Sequence, residues 1–109
     1  MDQYVQWTTT TETESQSLTI ADHLVANGLA ACVQIDGPIQ SVYRWRGKVE
    51  HVNEFRLSIK TTLGLAEQMQ MAILDIHPYD VPELIGVPVT HISKSYAAWI
   101  DEQIRDSPK

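Results

Sequence analysis

The stretch His77-Pro78-Tyr79-Asp80-Val81-Pro82-Glu83-Leu84 separates an amphipathic helical pattern from a short apolar run. Proline disfavours the α conformation in the residue before it, so Pro78 predicts that the preceding helix ends at His77. Pro82 acts in the same way on Val81 and keeps the chain extended toward the next strand. A segment stiffened like this suits a binding site and also suits a plain structural joint. From the spacing alone, the joint is the favoured interpretation.

The patterns on either side of this segment predict a helix before it and a strand after it. Thr61-Thr62 is predicted to cap the helix, and residues 84–89 form the predicted strand. Pro88 confines this strand to the edge of a sheet or to a place where its nitrogen needs no partner, because proline cannot donate a ladder hydrogen bond. Ser95 is predicted to cap a last helix. The helix before the segment is predicted from apolar residues at a spacing of three or four, namely Leu65, Met69, Ala72, Ile73 and Ile76.

Two long alternating runs further upstream predict a β-hairpin. From Leu29 to Trp45 the pattern has a period of two, so that alternate residues share one face, and Gly37-Pro38 interrupts it as a predicted bulge or bend. Arg46-Gly47-Lys48 is predicted to be the tight turn, and alternation continues up to Thr61. These strands are longer than the other two, and a bare two-stranded ribbon is marginally stable in water. The surplus hairpin is therefore predicted to pair with another subunit.

The remaining N-terminal part completes a familiar order of elements. Residues 4–10 are rich in β-branched and aromatic side chains and are predicted to form a strand. Thr11 and Glu14 match a capping box, and the helix that follows is predicted to end at Asn27-Gly28. The order is β-α-β-β-α-β plus a terminal helix, which predicts an α+β, ferredoxin-like sandwich with both long helices on one face of an antiparallel sheet.

Length and composition narrow the function classes. The 109 residues predict one domain, residues 1–109, of which 43% are hydrophobic and 20% charged. The net charge of −6 disfavours nucleic acid and anionic membranes as partners. The longest apolar run, 29–33, is far too short to span a membrane. A single cysteine and no visible secretory signal predict a cytoplasmic protein.

The residues alone leave the chemistry open. No nucleophile and base stand at a catalytic spacing, and Cys32 on a strand is interpreted as a small buried hydrophobe. His77 at a helix end is interpreted as structural, although with Glu83 and Cys32 it also forms a candidate set of metal ligands. Lys60 at a strand end can hold an anionic group. Trp45 is favoured as an interface aromatic over a ligand-stacking surface.

Five stretches of the chain form a recognisable set: 29–33 (LAACV), 43–48 (YRWRGK), 59–61 (IKT), 77–83 (HPYDVPE) and 96–100 (YAAWI). Together they resemble the CutA family of divalent-cation tolerance proteins, and they cover nearly the whole chain in the family's order. The resemblance implies a cytosolic, ferredoxin-like homotrimer that is linked to copper and other divalent ions and has no established catalytic activity. Its trimer is similar in architecture to the PII signalling proteins, which implies a regulatory binding role.

The resemblance also implies site residues. Cys32, His77 and Glu83 occupy the positions of the family's proposed metal ligands. Residues 7–10 contain no cysteine where some relatives have one, and Ile76 replaces a second histidine. Because soft and imidazole ligands are missing, copper and zinc are both predicted to bind loosely, and no cofactor is certain.

A second predicted site brings together Trp45, Lys60 and Tyr79 at a cleft between subunits, where they would hold a small anionic ligand. Two alternatives share the fold. A PII-like small-molecule signalling protein would bind no metal, and an acylphosphatase would need an arginine-bearing loop after the first strand, whereas the first arginine is Arg44. The chain is therefore predicted not to be an enzyme. An RNA-binding sheet is disfavoured by the negative charge.

Overall fold

The computed structural model describes residues 3–104 and contains one four-stranded sheet with three α-helices. The sheet order is β2-β3-β1-β4, and every neighbouring pair is antiparallel. The predicted ferredoxin-like α+β sandwich is confirmed. The elements are β1 (Tyr4–Thr11), α1 (Glu14–Ala26), β2 (Cys32–Trp45), β3 (Lys48–Thr62), a 3-10 turn (Leu63–Leu65), α2 (Ala66–Ile76), β4 (Ile85–Val89) and α3 (Lys94–Gln103).

The predicted N-terminal caps are wrong in all three helices, although the helices themselves are present and α1 ends at Asn27 as predicted. Helix α1 is capped by Thr13, whose side chain and Gln16 form the capping box, and not by Thr11. The 3-10 turn separates Thr62 from α2, which begins without a side-chain cap. Helix α3 is capped by Ser93, two residues before the predicted cap, and the Ser93 hydroxyl accepts the Tyr96 N–H.

The core lies between one face of the sheet and helices α1 and α2. Because strand side chains alternate between the two faces, every second residue of β1 and β3 points into this core. Trp7 packs beneath Gly86 so closely that a Cβ at residue 86 would lie 2.8 Å from its ring. The large apolar side chains with almost no exposed surface are Ile20, Leu24, Leu57, Ile59, Leu65, Met69 and Ile73, together with Ile100 of α3.

The hairpin of β2 and β3 extends beyond the rest of the sheet, as predicted. β1 pairs with β3 only over residues 55–62, so residues 39–54 of the hairpin have no third strand beside them. We call residues 39–54 the hairpin overhang. It begins at a register shift between Asp36 and Ile39, which confirms the predicted bulge at Gly37-Pro38. The molecule is elongated as a result, with extents of 48 × 25 × 21 Å.

The edge position predicted for β4 is confirmed. β4 pairs only with β1, and Pro88 lies opposite Val5. Helix α3 follows β4 and contacts the sheet at Tyr4, whose hydroxyl donates to the Asp101 carboxylate at 2.9 Å. Tyr4 alternates with the core residue Val5, so α3 meets the face of the sheet opposite α1 and α2.

Candidate functional site

The segment 77–84 leaves α2 in the geometry that its prolines require. The helix ends at Ile76, and His77 takes an extended conformation with φ −69° and ψ 134°. Its backbone N–H still donates to the Ile73 carbonyl at 2.8 Å. The predicted end of the helix is confirmed.

Both ring nitrogens of His77 are engaged in hydrogen bonds. Nδ1 accepts the Tyr79 N–H at 3.1 Å, so the proton must lie on Nε2, which donates to the Thr10 carbonyl at 2.8 Å. The side chain is buried, and this burial lowers the pKa of His77 although the Thr10 carbonyl and Glu54 oppose the change. In one chain, His77 has no free lone pair to offer a metal ion.

Tyr79 links this segment to the foot of the hairpin overhang. Its hydroxyl donates to Glu54 Oε2 at 2.7 Å, and its ring lies 4.8 Å from the His77 ring, edge to face. Glu54 is only 5% exposed. Burial, the hydrogen bond to Glu54 and the charge of Glu54 all raise the pKa of Tyr79. The hydroxyl therefore stays protonated and donates to the carboxylate at physiological pH.

Cys32 lies far from His77 on the sheet. It is the first residue of β2 and pairs with Lys60, whereas the Thr10 carbonyl that holds His77 belongs to a residue paired with Arg56. Four residues of β3 separate these two levels, which is roughly 13 Å of strand. The thiol of Cys32 instead contacts the Tyr96 hydroxyl of α3. Burial is the main cause that raises the pKa of Tyr96, and Cys32 adds a smaller contribution.

Glu83 belongs to a third location, on the polar face of the sheet. It lies near Arg56, which forms an ion pair with Asp36 at 2.8 Å. The bond to Asp36 is the main cause that raises the pKa of Arg56, and Glu83 adds a smaller contribution. All three side chains border one broad polar depression on this face.

The candidate metal ligands therefore do not fit a metal site within one chain. Across residues 3–104, no three His, Cys, Asp or Glu side chains are grouped closely enough to hold an ion. Cys32, His77 and Glu83 occupy three separate places, and His77 is already fully hydrogen-bonded. A metal site built from these residues stays a prediction that needs more than one chain.

The predicted anion-binding trio is also spread along the hairpin. Trp45 pairs with Lys48 at the tip, twelve residues from Lys60 on the same strand, which is roughly 40 Å. Tyr79 lies between them, beside Glu54. Whether Trp45, Lys60 and Tyr79 meet at a cleft between subunits stays a prediction.

Two residues that matter in this region, Glu54 and Tyr96, could not be identified by sequence reasoning. Glu54 alternates with apolar residues of β3 in the manner of an exposed acid, and it is buried because the distant segment 77–79 covers it. Tyr96 reaches Cys32 only because α3 crosses the sheet. Both contacts are tertiary, so local periodicity contains no signal for them.

Comparison with known proteins shows the family of this chain. The family model of the CutA1 divalent ion tolerance proteins matches residues 5–103. The chain belongs to the CutA1 family.

Relatives in this family are similar over most of the chain. The divalent-cation tolerance protein CutA of Thermus thermophilus is 37% identical over 93 residues, which are 85% of this chain and 90% of that protein. The chloroplastic CutA of Arabidopsis thaliana is 41% identical over 80% of this chain, but the chain spans only 48% of that protein. The crystal structure of CutA1 from Oryza sativa has a TM-score of 0.93 at 32% identity, covering 96% of each chain.

As a member of the CutA1 family, the chain is a divalent-cation tolerance protein. The Thermus thermophilus relative is named for tolerance to divalent cations and not for a reaction. None of the helices within residues 3–104 is long and apolar enough to cross a membrane.

Proposed function

We propose that the chain is a homotrimeric divalent-cation tolerance protein that binds a divalent cation or a small ligand in a regulatory role. The hairpin overhang carries this proposal. Val42, Tyr43, Trp45 and Val49 expose between 43 and 59% of their surface in one chain. Aromatic and aliphatic side chains concentrated on a ribbon without a third strand are typical of a surface that another subunit covers.

Light scattering on the purified protein tests the assembly. We expect about three times the chain mass of 12.3 kDa at micromolar concentration. A mass that stays at one chain in this range would refute the trimer, because the proposal assigns the overhang to a stable interface.

For the metal, we propose loose binding of copper and zinc by ligands that different subunits contribute from Cys32, His77 and Glu83. His77 would have to give up a hydrogen bond to Thr10 or Tyr79, which is a reason for weak affinity. Calorimetry with copper and with zinc compares the wild type with His77→Ala, and His23→Ala on the exposed face of α1 is the matched control. We expect a modest loss of copper binding for His77→Ala alone.

Two outcomes of that titration would contradict the proposal. Equal copper binding by the wild type and His77→Ala would discard His77 as a ligand. A tight and copper-selective site in the wild type would mean that a different set of ligands is used.

We further propose a single, non-enzymatic domain over residues 1–109 that works in the cytoplasm. The first arginine, Arg44, lies in the hairpin and not in a loop after β1, where an acylphosphatase would need it. An acylphosphatase assay should show no turnover. Because the Arabidopsis relative is named as chloroplastic, the location is tested by fractionating cells, and recovery outside the cytoplasmic fraction would refute it.

A further inference from the structure

A cavity of about 280 Å³ lies between α3 and the sheet, at the end remote from the hairpin tip. Four parts of the chain meet around it: β1, β3, β4 and the start of α3. Residues that contribute to its wall include Tyr4, Lys60, Val89, Ser93, Tyr96 and Ile100. Within one chain this cavity shares Lys60 with the predicted cleft between subunits, but neither Trp45 nor Tyr79 of the same chain borders it.

Lys60 brings a positive charge to this cavity without an acidic partner. Its ammonium group donates to the side-chain carbonyl of Gln34, which is neutral. Within the part of the chain that the structure describes, no carboxylate forms an ion pair with Lys60; the ion pair present is Arg56–Asp36. A partly buried ammonium is best compensated by a negative charge, and a bound anion would supply it.

The start of α3 adds to the positive potential beside Lys60. Ser93 caps the helix, the first turn contains no acidic residue, and Lys94 is its first residue. Ser93 and Lys60 both line the cavity, so the positive end of the helix dipole borders it together with the Lys60 ammonium. The Asp101 carboxylate, on the same helix, accepts the Tyr4 hydroxyl at 2.9 Å and is occupied by that contact.

The remaining wall is mostly apolar and limits the size of the ligand. Val89, Ile92 and Ile100 provide aliphatic surface, and Tyr96 adds an aromatic ring. A volume of about 280 Å³ is at the lower end of the range of small-molecule pockets. Together with the charge of Lys60, this favours a compact apolar body that carries one acidic group.

We propose that this cavity binds a small organic carboxylate, whose acid group pairs with the Lys60 ammonium and whose apolar body lies against Tyr96 and Ile100. The proposal specifies the ligand-binding part of the function proposed above. It is independent of metal binding, since it uses neither His77 nor Glu83.

Calorimetry on the full chain in its native assembly, with benzoate and the neutral isostere benzamide, tests the proposal. We expect benzoate to bind about tenfold more tightly than benzamide, because only benzoate forms the charge-assisted bond. Lys60→Met should weaken benzoate by about tenfold and leave benzamide unchanged. Lys48→Met, the same substitution at the hairpin tip, is the matched control and should change neither.

Equal binding of the two probes, no binding of benzoate at millimolar concentration, or an unaltered benzoate affinity in Lys60→Met would overturn the proposal. If Lys60→Met does not fold, amide chemical shifts of the wild type decide. Benzoate-induced shifts at residues 60 and 91–100 would support the site, and shifts confined to the hairpin tip or to 77–84 would overturn it. Light scattering and copper titration of the same sample report separately on the trimer and on the metal.

Discussion

The two ends of the β2–β3 hairpin are built from the same strands but differ in what covers them. Over residues 55–62, β3 has β1 beside it and α1 and α2 above it, and Leu57 has no exposed surface. In the hairpin overhang the same strands continue without a third strand, and Val42 and Val49 are 59% and 58% exposed. One chain therefore completes its core at one end and leaves an apolar surface uncovered at the other.

This difference shows that alternation along a strand defines the faces of a ribbon but does not determine what covers them. Both ends alternate in the same way in the sequence. Coverage depends on where the helices and β1 end, and, for the overhang, on other chains. Mutations at the two ends should therefore act on different properties, the core end on the stability of the chain and the overhang on assembly.

The largest effect is expected for Leu57→Ala. The side chain is fully buried between the sheet and the helices, so its truncation leaves a cavity and should lower the free energy of unfolding by about 3 kcal/mol. Chemical denaturation of Leu57→Ala, in comparison with the wild type, measures this loss. A cost below about 1 kcal/mol would mean that the core end is less tightly packed than the structure indicates.

Trp45→Ala should give the next largest effect, on assembly. Removing a large aromatic anchor from a desolvated interface costs about 2 kcal/mol or more per contact. On dilution, the variant trimer should therefore begin to dissociate at a higher protein concentration than the wild-type trimer does. Light scattering over a dilution series measures this shift, with the exposed Leu74→Ala on α2 as the control. Identical dilution curves for Trp45→Ala and the wild type would show that Trp45 is not part of the interface.

A smaller effect is expected from His77, which joins the two regions through Thr10 and through the Tyr79–Glu54 bond. Burial lowers the pKa of His77 below its ordinary value of 6.5. Between the lowered pKa of His77 in the folded chain and its ordinary pKa in the unfolded chain, the folded state binds fewer protons than the unfolded state. The contribution of His77 to stability is therefore complete above about pH 6.5 and is lost as the pH falls from there through the pKa of the folded state. Protonated Nδ1 would also face the Tyr79 N–H.

Denaturation in metal-free buffer at about pH 7.5 and about pH 5 measures this dependence. His77→Gln keeps a donor for Thr10 but does not titrate, so its stability should fall less than that of the wild type. His23→Gln, on an exposed face, should behave as the wild type. An equal fall in wild type and His77→Gln would assign the pH dependence to other groups.

The smallest effect is expected at the tip of the overhang. Arg46 has a positive φ of 51° and is followed by Gly47 with φ 80°, the two central positions of a hairpin turn that prefers Asn-Gly. Arg46→Asn should therefore raise the free energy of unfolding by roughly 0.5 kcal/mol, after a small loss from the contact of Arg46 with Trp45. Chemical denaturation at fixed protein concentration measures this gain, and Arg44→Asn, the same substitution outside the turn, is the control. A lower free energy of unfolding for Arg46→Asn than for the wild type would contradict the prediction.

Much of the fold could be predicted because its determinants are local. Pro78 ends α2, Pro88 restricts β4 to the edge, and Gly37-Pro38 marks the bulge in β2. The helix caps could not be assigned with the same success. Thr11 and Thr13 are equivalent as sequence signals for a cap, and the Thr11 hydroxyl is instead bonded to Ser17 in the core.

The candidate site was less predictable, because its contacts join distant parts of the chain. The sequence brings His77 and Glu83 within six residues of each other, but His77 lies against β1 and Glu83 borders the polar face near Arg56. The place of Lys60 at a strand end predicts that it holds an anion, whereas the cavity that it borders depends on how α3 crosses the sheet. The sequence therefore indicates which residue types could bind a ligand, but closeness in the sequence does not predict which side chains are neighbours in the fold.

Amide hydrogen exchange along the hairpin is the most direct test of the central claim that other copies of the chain cover the overhang. We expect residues 39–54 to be protected almost as well as residues 55–62 when the protein is assembled, and to lose that protection on dilution while the core end keeps it. Exchange within seconds throughout the overhang at every protein concentration, beside a protected core, would show that the overhang is a free ribbon and would contradict the account.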